Sequence, residues 1–333
     1  MERAPVGLLL ETGPPGRRRP QEGPTVPLHP EDLVEVFPEA DRLVERTAAD
    51  ELVLVHDLAG EYDAAHASAL AGSHLLASLS HEVVARFDAD ALVDYRGHRP
   101  RITFSGDRYE SFAAPEITLY AVEDDGGTPF LLLHGTEPDF AWERFTRSVL
   151  GLVERLGVTR MVMLQAIPMP VPHTRPVTVT AHATRRELIE SYPVYWGEMR
   201  IPGSAGALLE LRAGEAGVDA LGIAAHVPHY LSQATFPAAS LTLLEHLETL
   251  TGLHVPTETL REAAEANRTE IDAQIGRSTE NTAVVAQLET QYDDFTAARE
   301  GTGLLSASGE MPSGEELGDQ IEAFLAEQDR RTD

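Results

Sequence analysis

The sequence predicts a three-layer αβα domain with a mixed, mostly parallel β-sheet, followed by a C-terminal helical hairpin. From about residue 50 to residue 252, strand-like runs alternate with segments of helical length, which is the pattern of a largely parallel sheet with helices on its faces. Several strand-like runs are continuously apolar, as expected for strands that helices cover on both sides. After residue 256 the helical segments have only a narrow apolar stripe.

This pattern divides the chain into four parts. Residues 1–30, rich in proline and glycine, are expected to form a flexible N-terminal arm. Residues 31–256 form the α/β core domain, and residues 257–300 form the helical hairpin. The remaining residues, 301–333, are expected to form a flexible linker and a short acidic amphipathic helix whose apolar side consists of Leu317, Ile321, Phe324 and Leu325.

The first half of the core is expected to open with a strand and a helix. The run "ELVLVHDLAG" predicts a buried strand and "EYDAAHASALAGSHLLASLS" predicts the helix after it. "EVVARF" and "RITF" predict two further strands, and "EITLYAVEDDGGTPFLLLHG" predicts a hairpin that turns at Asp125-Gly126-Gly127. The next helix is expected to hold Pro138 in its first turn and to end at Gly157.

The second half of the core continues the alternation around a proline-rich loop. "VTRMVMLQAIP" and "VTVTAHAT" predict strands on either side of the loop. "GSAGALLELRAGEAG" predicts a helix, "VDALGIAAHV" a buried strand and "PAASLTLLEHLETLTG" a helix. The hairpin is expected to consist of the polar helices "PTETLREAAEANRTEIDAQIG" and "STENTAVVAQLETQYDDFTAARE".

Composition excludes several classes of chemistry. The chain has no cysteine, and all 26 basic side chains are arginine because lysine is absent too. The first absence excludes a thiol nucleophile, disulfides, iron–sulfur clusters and cysteine-ligated zinc. The second excludes Schiff-base catalysis and the phosphate-binding lysine of a P-loop.

Charge and hydropathy suggest the compartment and the partners. The net charge is −28 over 333 residues, and a field of that sign repels nucleic acid and anionic membranes. No window approaches the about 18 to 20 apolar residues that a membrane helix needs, and the apolar patch at residues 6–10 is too short for a signal peptide. We therefore expect a cytoplasmic protein that binds neither nucleic acid nor membrane.

The candidate ligand site lies where the parallel strands are expected to end, since ligands of open α/β sheets bind there. The candidate ligand-binding residues are Asp57, Gly60, Glu137, His173, Arg175, Gly203, Ser204, His226 and Tyr230. Asp57 with His56, or Glu137 with His173, would suit an acid/base pair, although a connector with a capping carboxylate is the commoner explanation for both.

Two features of this region have open alternatives. Gly203 and Ser204 at a helix N-terminus suit either an anion cradle or an ordinary helix cap. The prolines at residues 168–176 hold the chain extended and present His173 and Arg175 at a defined place. Arg175 would then bind a carboxylate or phosphate of a ligand, or hold a neighbouring loop or subunit through Glu137 or Asp57.

A metal site is not expected. His226 and His229, with His173 or His182 as a third ligand, are the only suggestive set. Histidines three residues apart after a strand do not point in one direction, and no acidic residue lies beside them. No cofactor is expected either.

Several motifs resemble one protein family. The runs "VHDLAGEYDAAHA", "DYRGHRP", "HGTEPDFAWERF", "PVPHTRP" and "HVPHYL" followed by "PAAS" are similar to those of the actinobacterial branch of the proteasome assembly chaperone two family, over about residues 30 to 300. The resemblance implies a phosphorylase-like αβα fold, a homo-oligomer such as a trimer, and no established enzymatic activity. Relatives guide proteasome α-subunits, and some dock through a hydrophobic-tyrosine-any tail. This chain ends "EQDRRTD", so that docking mode is not expected.

Two hypotheses of function follow. The first is a non-enzymatic assembly-chaperone-like or interaction protein with protein partners such as proteasome subunits. It would act through its oligomer surface, the helical hairpin and the C-terminal helix. The second is a nucleoside- or phosphate-binding protein, or a hydrolase- or phosphorylase-like enzyme, with a site at Gly60, Glu137, Arg175 and Ser204. The first is favoured because the residues do not assemble into a complete catalytic constellation. The ATP-grasp ligase activity attributed to some family members is not expected without lysine.

Overall fold

The computed structural model describes residues 33–46, 52–194 and 197–301. The predicted N-terminal arm and the predicted C-terminal helix with Leu317, Ile321, Phe324 and Leu325 lie outside these residues. No helix within the described ranges is long and apolar enough to cross a membrane.

A mixed sheet of eight strands forms the middle layer. Its strands are β1 (Val34–Val36), β2 (Leu52–Ala59), β3 (His81–Phe87), β6 (Ile117–Glu123), β7 (Pro129–Thr136), β8 (Val158–Met169), β9 (Val179–Ala183) and β10 (Asp219–Pro228), and a separate two-stranded sheet contains β4 (Ile102–Ser105) and β5 (Arg108–Phe112). The order of the large sheet is β1-β3-β6-β7-β2-β8-β10-β9. The central strands β7, β2, β8 and β10 are mutually parallel, and the other pairings are antiparallel. Five strands, these four and β3, therefore run in one direction, which confirms the predicted mixed, mostly parallel sheet.

Helices cover both faces of the large sheet. They are α1 (Glu39–Arg46), α2 (Ala67–Ser78), α3 (Ala89–Leu92), α4 (Trp142–Leu156), α5 (Ala205–Glu215), α6 (Pro237–Thr251), α7 (Glu258–Ile275) and α8 (Thr279–Gly301). Helices α2 and α6 pack on one face, with α7 against α6, while α1, α4 and α5 pack on the other. The three-layer αβα fold and the C-terminal helical hairpin are as predicted.

The continuous apolar run of β2 is explained by burial on both sides. Val53 and Val55 belong to the core beneath α2 and α6, and Leu52 and Leu54 belong to the core beneath α4 and α5. Adjacent residues of a strand point to opposite faces, so a strand covered on both faces needs apolar residues at every position. Each such side chain contributes roughly 1.5–3 kcal/mol when fully buried.

The β6–β7 hairpin turns where the sequence predicts. The carboxylate of Asp124 accepts hydrogen bonds from the N–H groups of Gly126 and Thr128, at 2.9 and 2.7 Å, and from His254 N–H at 2.8 Å. Gly127 has a φ of +81°, which favours glycine. Asp124 thus closes the turn and attaches it to the chain after α6.

Two helix starts differ from the prediction. Helix α4 begins at Trp142 rather than around Pro138, because Ala141 adopts a left-handed conformation and Trp142 Nε1 donates to the Pro138 carbonyl within the preceding loop. It ends at Gly157, as predicted. Helix α2 begins only at Ala67, since residues 64–66 form a 3₁₀ turn. The Asp63 carboxylate accepts from Ser68 N–H at 2.7 Å and so stabilises the later start.

The β4–β5 sheet is the largest departure from the predicted layout. The predicted strand "RITF" exists, but it pairs with β5 outside the large sheet. Strand β5 was not predicted, because its residues "RYESF" are all exposed and show no core-facing pattern. The short β1 and α1 were not predicted either.

Candidate functional site

The carboxyl ends of β7, β2, β8 and β10 meet at one edge of the sheet, as predicted. Near the end of β2, His56 faces α5, where its ring is 3.7 Å from the position of a Cβ built on Gly206. Asp57 faces α2, where its carboxylate would meet a Cβ on Gly72 at 1.8 Å. Neighbouring strand residues point to opposite faces. The predicted Asp57–His56 acid/base pair is therefore wrong.

On the α5 side, three of the predicted residues come together. Glu137 Oε1 accepts a 2.6 Å hydrogen bond from Ala205 N–H at the start of α5. Ser204 Oγ accepts from Ala207 N–H at 3.0 Å and caps the helix. A Cβ on Gly60 would lie 1.8 Å from Glu137 Oε2, so only glycine permits this approach. Gly203 precedes the cap, 3.7 Å from the ring of Trp142 by the same measure.

Ser204 caps α5, and Glu137 lies where the anion-cradle alternative places a ligand. The helix N-terminus favours a negative charge, and the carboxylate of Glu137 already provides one. Burial raises the pKa of Glu137, against the effect of hydrogen bonds from the Ala205 and Glu61 backbone. A phosphate bound at this helix end would have to displace Glu137.

A shallow cleft lies beside Glu137. It encloses about 10 Å³, room for about one water molecule, and its lining residues are His56, Leu58, Tyr62, Glu137, Met163, Leu164, Gln165, Ser204 and Gly206. Pockets for drug-sized ligands span roughly 300–1,000 Å³, so the cleft is far too small for a nucleoside. Burial lowers the pKa of His56 to about 3, which keeps the ring neutral.

The proline loop packs against the helical hairpin. His173 Nδ1 lies 2.6 Å from the Tyr230 hydroxyl, and His173 Nε2 lies 3.0 Å from Asp272 Oδ1 on α7. A tautomer with the proton on Nε2 satisfies both bonds, because that nitrogen donates to Asp272 and Nδ1 accepts from Tyr230. Burial raises the pKa of Tyr230 to about 12. The predicted Glu137–His173 pair is thus replaced by His173–Asp272.

Arg175 also forms ion pairs with the helical hairpin. Its Nε and Nη2 donate to the two carboxylate oxygens of Asp293 at 2.8 and 2.7 Å, and its Nη1 donates to Glu289 Oε1 at 3.0 Å. The hydrogen bond to Asp293 raises the pKa of the guanidinium above its ordinary value. Arg175 therefore holds a neighbouring element, as one alternative predicted, but its partners lie on α8 and are neither Glu137 nor Asp57.

His226 has a structural environment. Its Nδ1 and Nε2 each lie 2.8 Å from a threonine hydroxyl, those of Thr178 and Thr180. Burial lowers the pKa of His226 to about 4. Among the described residues, no group of three or more histidine, aspartate or glutamate side chains is arranged to hold a metal ion.

One pair escaped the sequence analysis. Asp57 Oδ2 and His134 Nδ1 are 2.8 Å apart, on adjacent positions of the parallel strands β2 and β7. Burial raises the pKa of Asp57 to about 7. Both residues are polar and follow apolar strand runs, and this was the sequence signal that could have indicated the pair. Their pairing depends on strand order, which the sequence leaves open.

Comparison with known proteins identifies the class to which this fold and site belong. The family model described as the PAC2 family matches residues 58–275. The chain therefore belongs to the PAC2 family. No curated protein matches the chain at a significant level.

Solved structures support the same assignment. A Mycobacterium tuberculosis protein of unknown function, Rv2714, is 46% identical, with 80% of this chain and 92% of that chain covered and a TM-score of 0.77. A PAC2 family protein from Streptomyces avermitilis is 31% identical, with 71% and 100% covered and a TM-score of 0.63. The M. tuberculosis protein Rv2125, described as a proteasome-assembly chaperone homologue, is 27% identical, with 71% and 99% covered and a TM-score of 0.65.

Proposed function

We propose that this protein is an assembly-chaperone-like interaction protein that acts as a homo-oligomer, with proteasome subunits as its partners. Membership of the PAC2 family and similarity to a proteasome-assembly chaperone homologue support a protein partner. The observation that carries the proposal is an exposed apolar surface on the β4–β5 sheet, residues 102–112, which we call the hairpin arm.

The hairpin arm has one apolar and one polar face. Its apolar residues are Ile102, Phe104, Tyr109 and Phe112, each between 53% and 69% exposed. Ile102 is opposite Phe112, and Phe104 is opposite Tyr109 with ring centroids 5.2 Å apart. On the polar face, Ser111 donates a hydrogen bond to Thr103. An isolated two-stranded sheet is only marginally stable in water, and an exposed apolar patch indicates an interaction surface.

The charge of this region favours a second copy of the chain as the molecule that covers the arm. Residues 96–112 contain four arginines and two acidic residues, within a chain whose net charge is −28. The arm itself, residues 102–112, contains one arginine and two acidic residues, so the positive charge lies in the three arginines of residues 96–101 beside it. This basic segment next to the apolar face complements the acidic surface of another protomer. Because the arm contacts a different surface on its neighbour, the interface is head-to-tail, and such interfaces form rings when the rotation closes.

The candidate small-molecule site gives less support to the alternative function. Glu137 already occupies the α5 N-terminus, and the guanidinium of Arg175 is bound by α8. Ser204 caps the same helix, so three of the four residues proposed to hold a phosphate or nucleoside are engaged within the chain. The geometry thus favours an interaction protein over a phosphate-binding enzyme.

Replacing Phe104 with aspartate tests the hairpin arm. The Phe104→Asp variant introduces a charge into the apolar face, so we expect the oligomer to dissociate at least 100-fold more readily than the wild type, measured by sedimentation velocity. Val284→Asp is the matched control, because Val284 is also an exposed apolar residue but belongs to α8 and not to the arm. Circular dichroism checks that both variants fold.

An unchanged oligomer in Phe104→Asp would refute the role of the arm, and a monomeric wild type would refute the homo-oligomer itself. The partner is tested separately, by capture of purified proteasome α-subunits on the full-length chain. Failure of capture by an intact oligomer would refute the proteasome link while leaving the oligomer in place.

A further inference from the structure

A third side chain completes the Asp57–His134 pair. Ser73 lies on α2, with its Oγ 3.5 Å from His134 Nε2, while His134 Nδ1 is 2.8 Å from Asp57 Oδ2. In this arrangement the hydroxyl can act as a nucleophile, the imidazole as its base and the carboxylate as the group that orients the base. The Oγ–Nε2 distance is longer than an ideal hydrogen bond, as is common for such sites without a bound substrate.

The surroundings are adapted to this arrangement. Asp57 is fully buried, whereas Ser73 is exposed and the His134 side chain keeps 21% of its surface accessible. A Cβ on Gly72 would lie 1.8 Å from Asp57 Oδ2 and 2.8 Å from His134 Nδ1. Glycine at position 72 therefore leaves room for the pair beneath the helix, while the next residue presents its hydroxyl at the surface.

The Asp57–His134 pair also lowers the stability of the fold, because it leaves buried polar atoms unpaired. Asp57 Oδ1 and Thr118 Oγ1 are buried without a hydrogen-bond partner, and Thr118 and Asp57 are the cross-strand neighbours of His134 on either side. Leaving a buried polar atom unpaired costs about 1–3 kcal/mol. Unpaired buried polar atoms of this kind are rare in native proteins and collect at functional sites, which favours a functional role for the pair.

The geometry points to a nucleophilic serine at position 73, activated by His134 and Asp57, that takes the acyl group of small activated esters. His134 Nε2 accepts the hydroxyl proton as Ser73 Oγ bonds to the carbonyl carbon. The bond from that carbon to the leaving oxygen then breaks, and the leaving group takes the proton from His134. Water hydrolyses the acyl-serine with His134 again acting as the base. This activity goes beyond the proposed interaction function and does not depend on it.

Covalent labelling of the full-length protein tests this inference. Incubation with a fluorophosphonate reagent should give an adduct on Ser73, located by peptide mass spectrometry, as Oγ bonds to phosphorus and fluoride leaves. p-Nitrophenyl acetate should release nitrophenol with acetylation of the same residue. General-base catalysis contributes typically 10²–10⁴-fold, so we expect His134→Gln to slow labelling by about 100-fold.

Variants on α2 provide the controls. Ser73→Ala changes an exposed residue and should abolish labelling without unfolding the protein. Ser78→Ala, at another exposed serine of the same helix, should label at the wild-type rate. No adduct at Ser73 above the level at Ser78, or a His134→Gln variant that labels as fast as the wild type, would overturn the inference.

The pH dependence of the labelling rate distinguishes a histidine that acts as a base from one with a structural role. Burial lowers the pKa of His134, but the hydrogen bond and charge of Asp57, with smaller effects of Asp63 and Glu116, raise it above its ordinary value overall. The attacking serine needs an unprotonated Nε2. The labelling rate should therefore increase as the pH rises through values above 6.5, and a flat profile would count against the base.

Discussion

At the scale of single residues, three glycines show how closely the site is packed. Gly60 faces Glu137, Gly72 faces Asp57 and Gly206 faces Met163, and in each case a Cβ would lie closer than 3 Å to a side-chain atom. Real Cβ atoms do not approach neighbours that closely. Gly60 and Gly72 therefore require glycine because of close packing, with no need for an unusual backbone conformation, whereas at Gly206 the flexible Met163 side chain has room to adjust.

Substitution of Gly72 should reveal this constraint. The new methyl group of Gly72→Ala meets the buried carboxylate of Asp57, which has little room to move, so we expect the free energy of unfolding to fall by about 1–3 kcal/mol. Gly151→Ala is the matched control on α4, where nothing lies within 4 Å, and it should stabilise by about 0.5–1 kcal/mol. Urea denaturation measures both, and equal effects would contradict the close contact.

At the scale of elements, the proline loop and α8 stabilise each other. Few apolar residues attach the helical hairpin α7–α8 to the core domain. The buried ones are Leu260 and Ile271 on α7 and Val285 and Leu288 on α8, whereas Val284 and Phe295 are each 46% exposed. The polar bonds from Arg175 to Asp293 and Glu289 therefore add a large share of the specific contacts. Bidentate geometry makes such a pair more effective than an ordinary surface ion pair.

Removal of the guanidinium should loosen α8. In Arg175→Ala, we expect amide hydrogen exchange in residues 283–297 to accelerate several-fold while exchange in the central strands is unchanged. Arg261→Ala is the control, because Arg261 forms a single exposed ion pair with Glu245. If both variants exchange alike in α8, the Arg175 contacts do not hold the helix.

The elements also show what a sequence pattern can predict. Long strands and helices with a clear apolar period, such as β2, β10 and α6, were predicted because burial on the sheet dictates their residues. The β4–β5 strands lack that relation to the core, so β5 was not predicted. Likewise, the pattern showed that His173 and Arg175 are held rigidly, but it did not reveal Asp272, Asp293 and Glu289 as their partners.

At the scale of the whole molecule, buried titratable groups link stability to pH. His56 and His226 have pKa values lowered by burial to about 3 and about 4, so the unfolded chain binds more protons than the native one below pH 6.5. Stability is then lost as the pH falls through this window. Asp57 and His134 act together in the opposite direction, because the pKa of each is raised in the native state, that of Asp57 to about 7, and the native pair therefore binds protons more readily than the unfolded chain.

Replacement of His226 should reduce this acid sensitivity. Glutamine keeps hydrogen-bonding groups near Thr178 and Thr180 but does not titrate. Between pH 7.5 and pH 5, we expect His226→Gln to lose about 2 kcal/mol less unfolding free energy than the wild type. Denaturant titrations at the two pH values measure the difference, and parallel losses in both proteins would show that the pKa of His226 is not lowered in the native state.

The sequence by itself determined the fold class, the position of most strands and helices, the family resemblance and the edge of the sheet where polar residues collect. These properties depend on periodicity and composition, which are local. The tertiary structure alone decided which polar residues meet: His134 with Asp57 and Ser73, Glu137 with the start of α5, and Arg175 with α8. Those contacts join residues up to 118 positions apart, and they depend on strand order and helix placement, which no local pattern specifies.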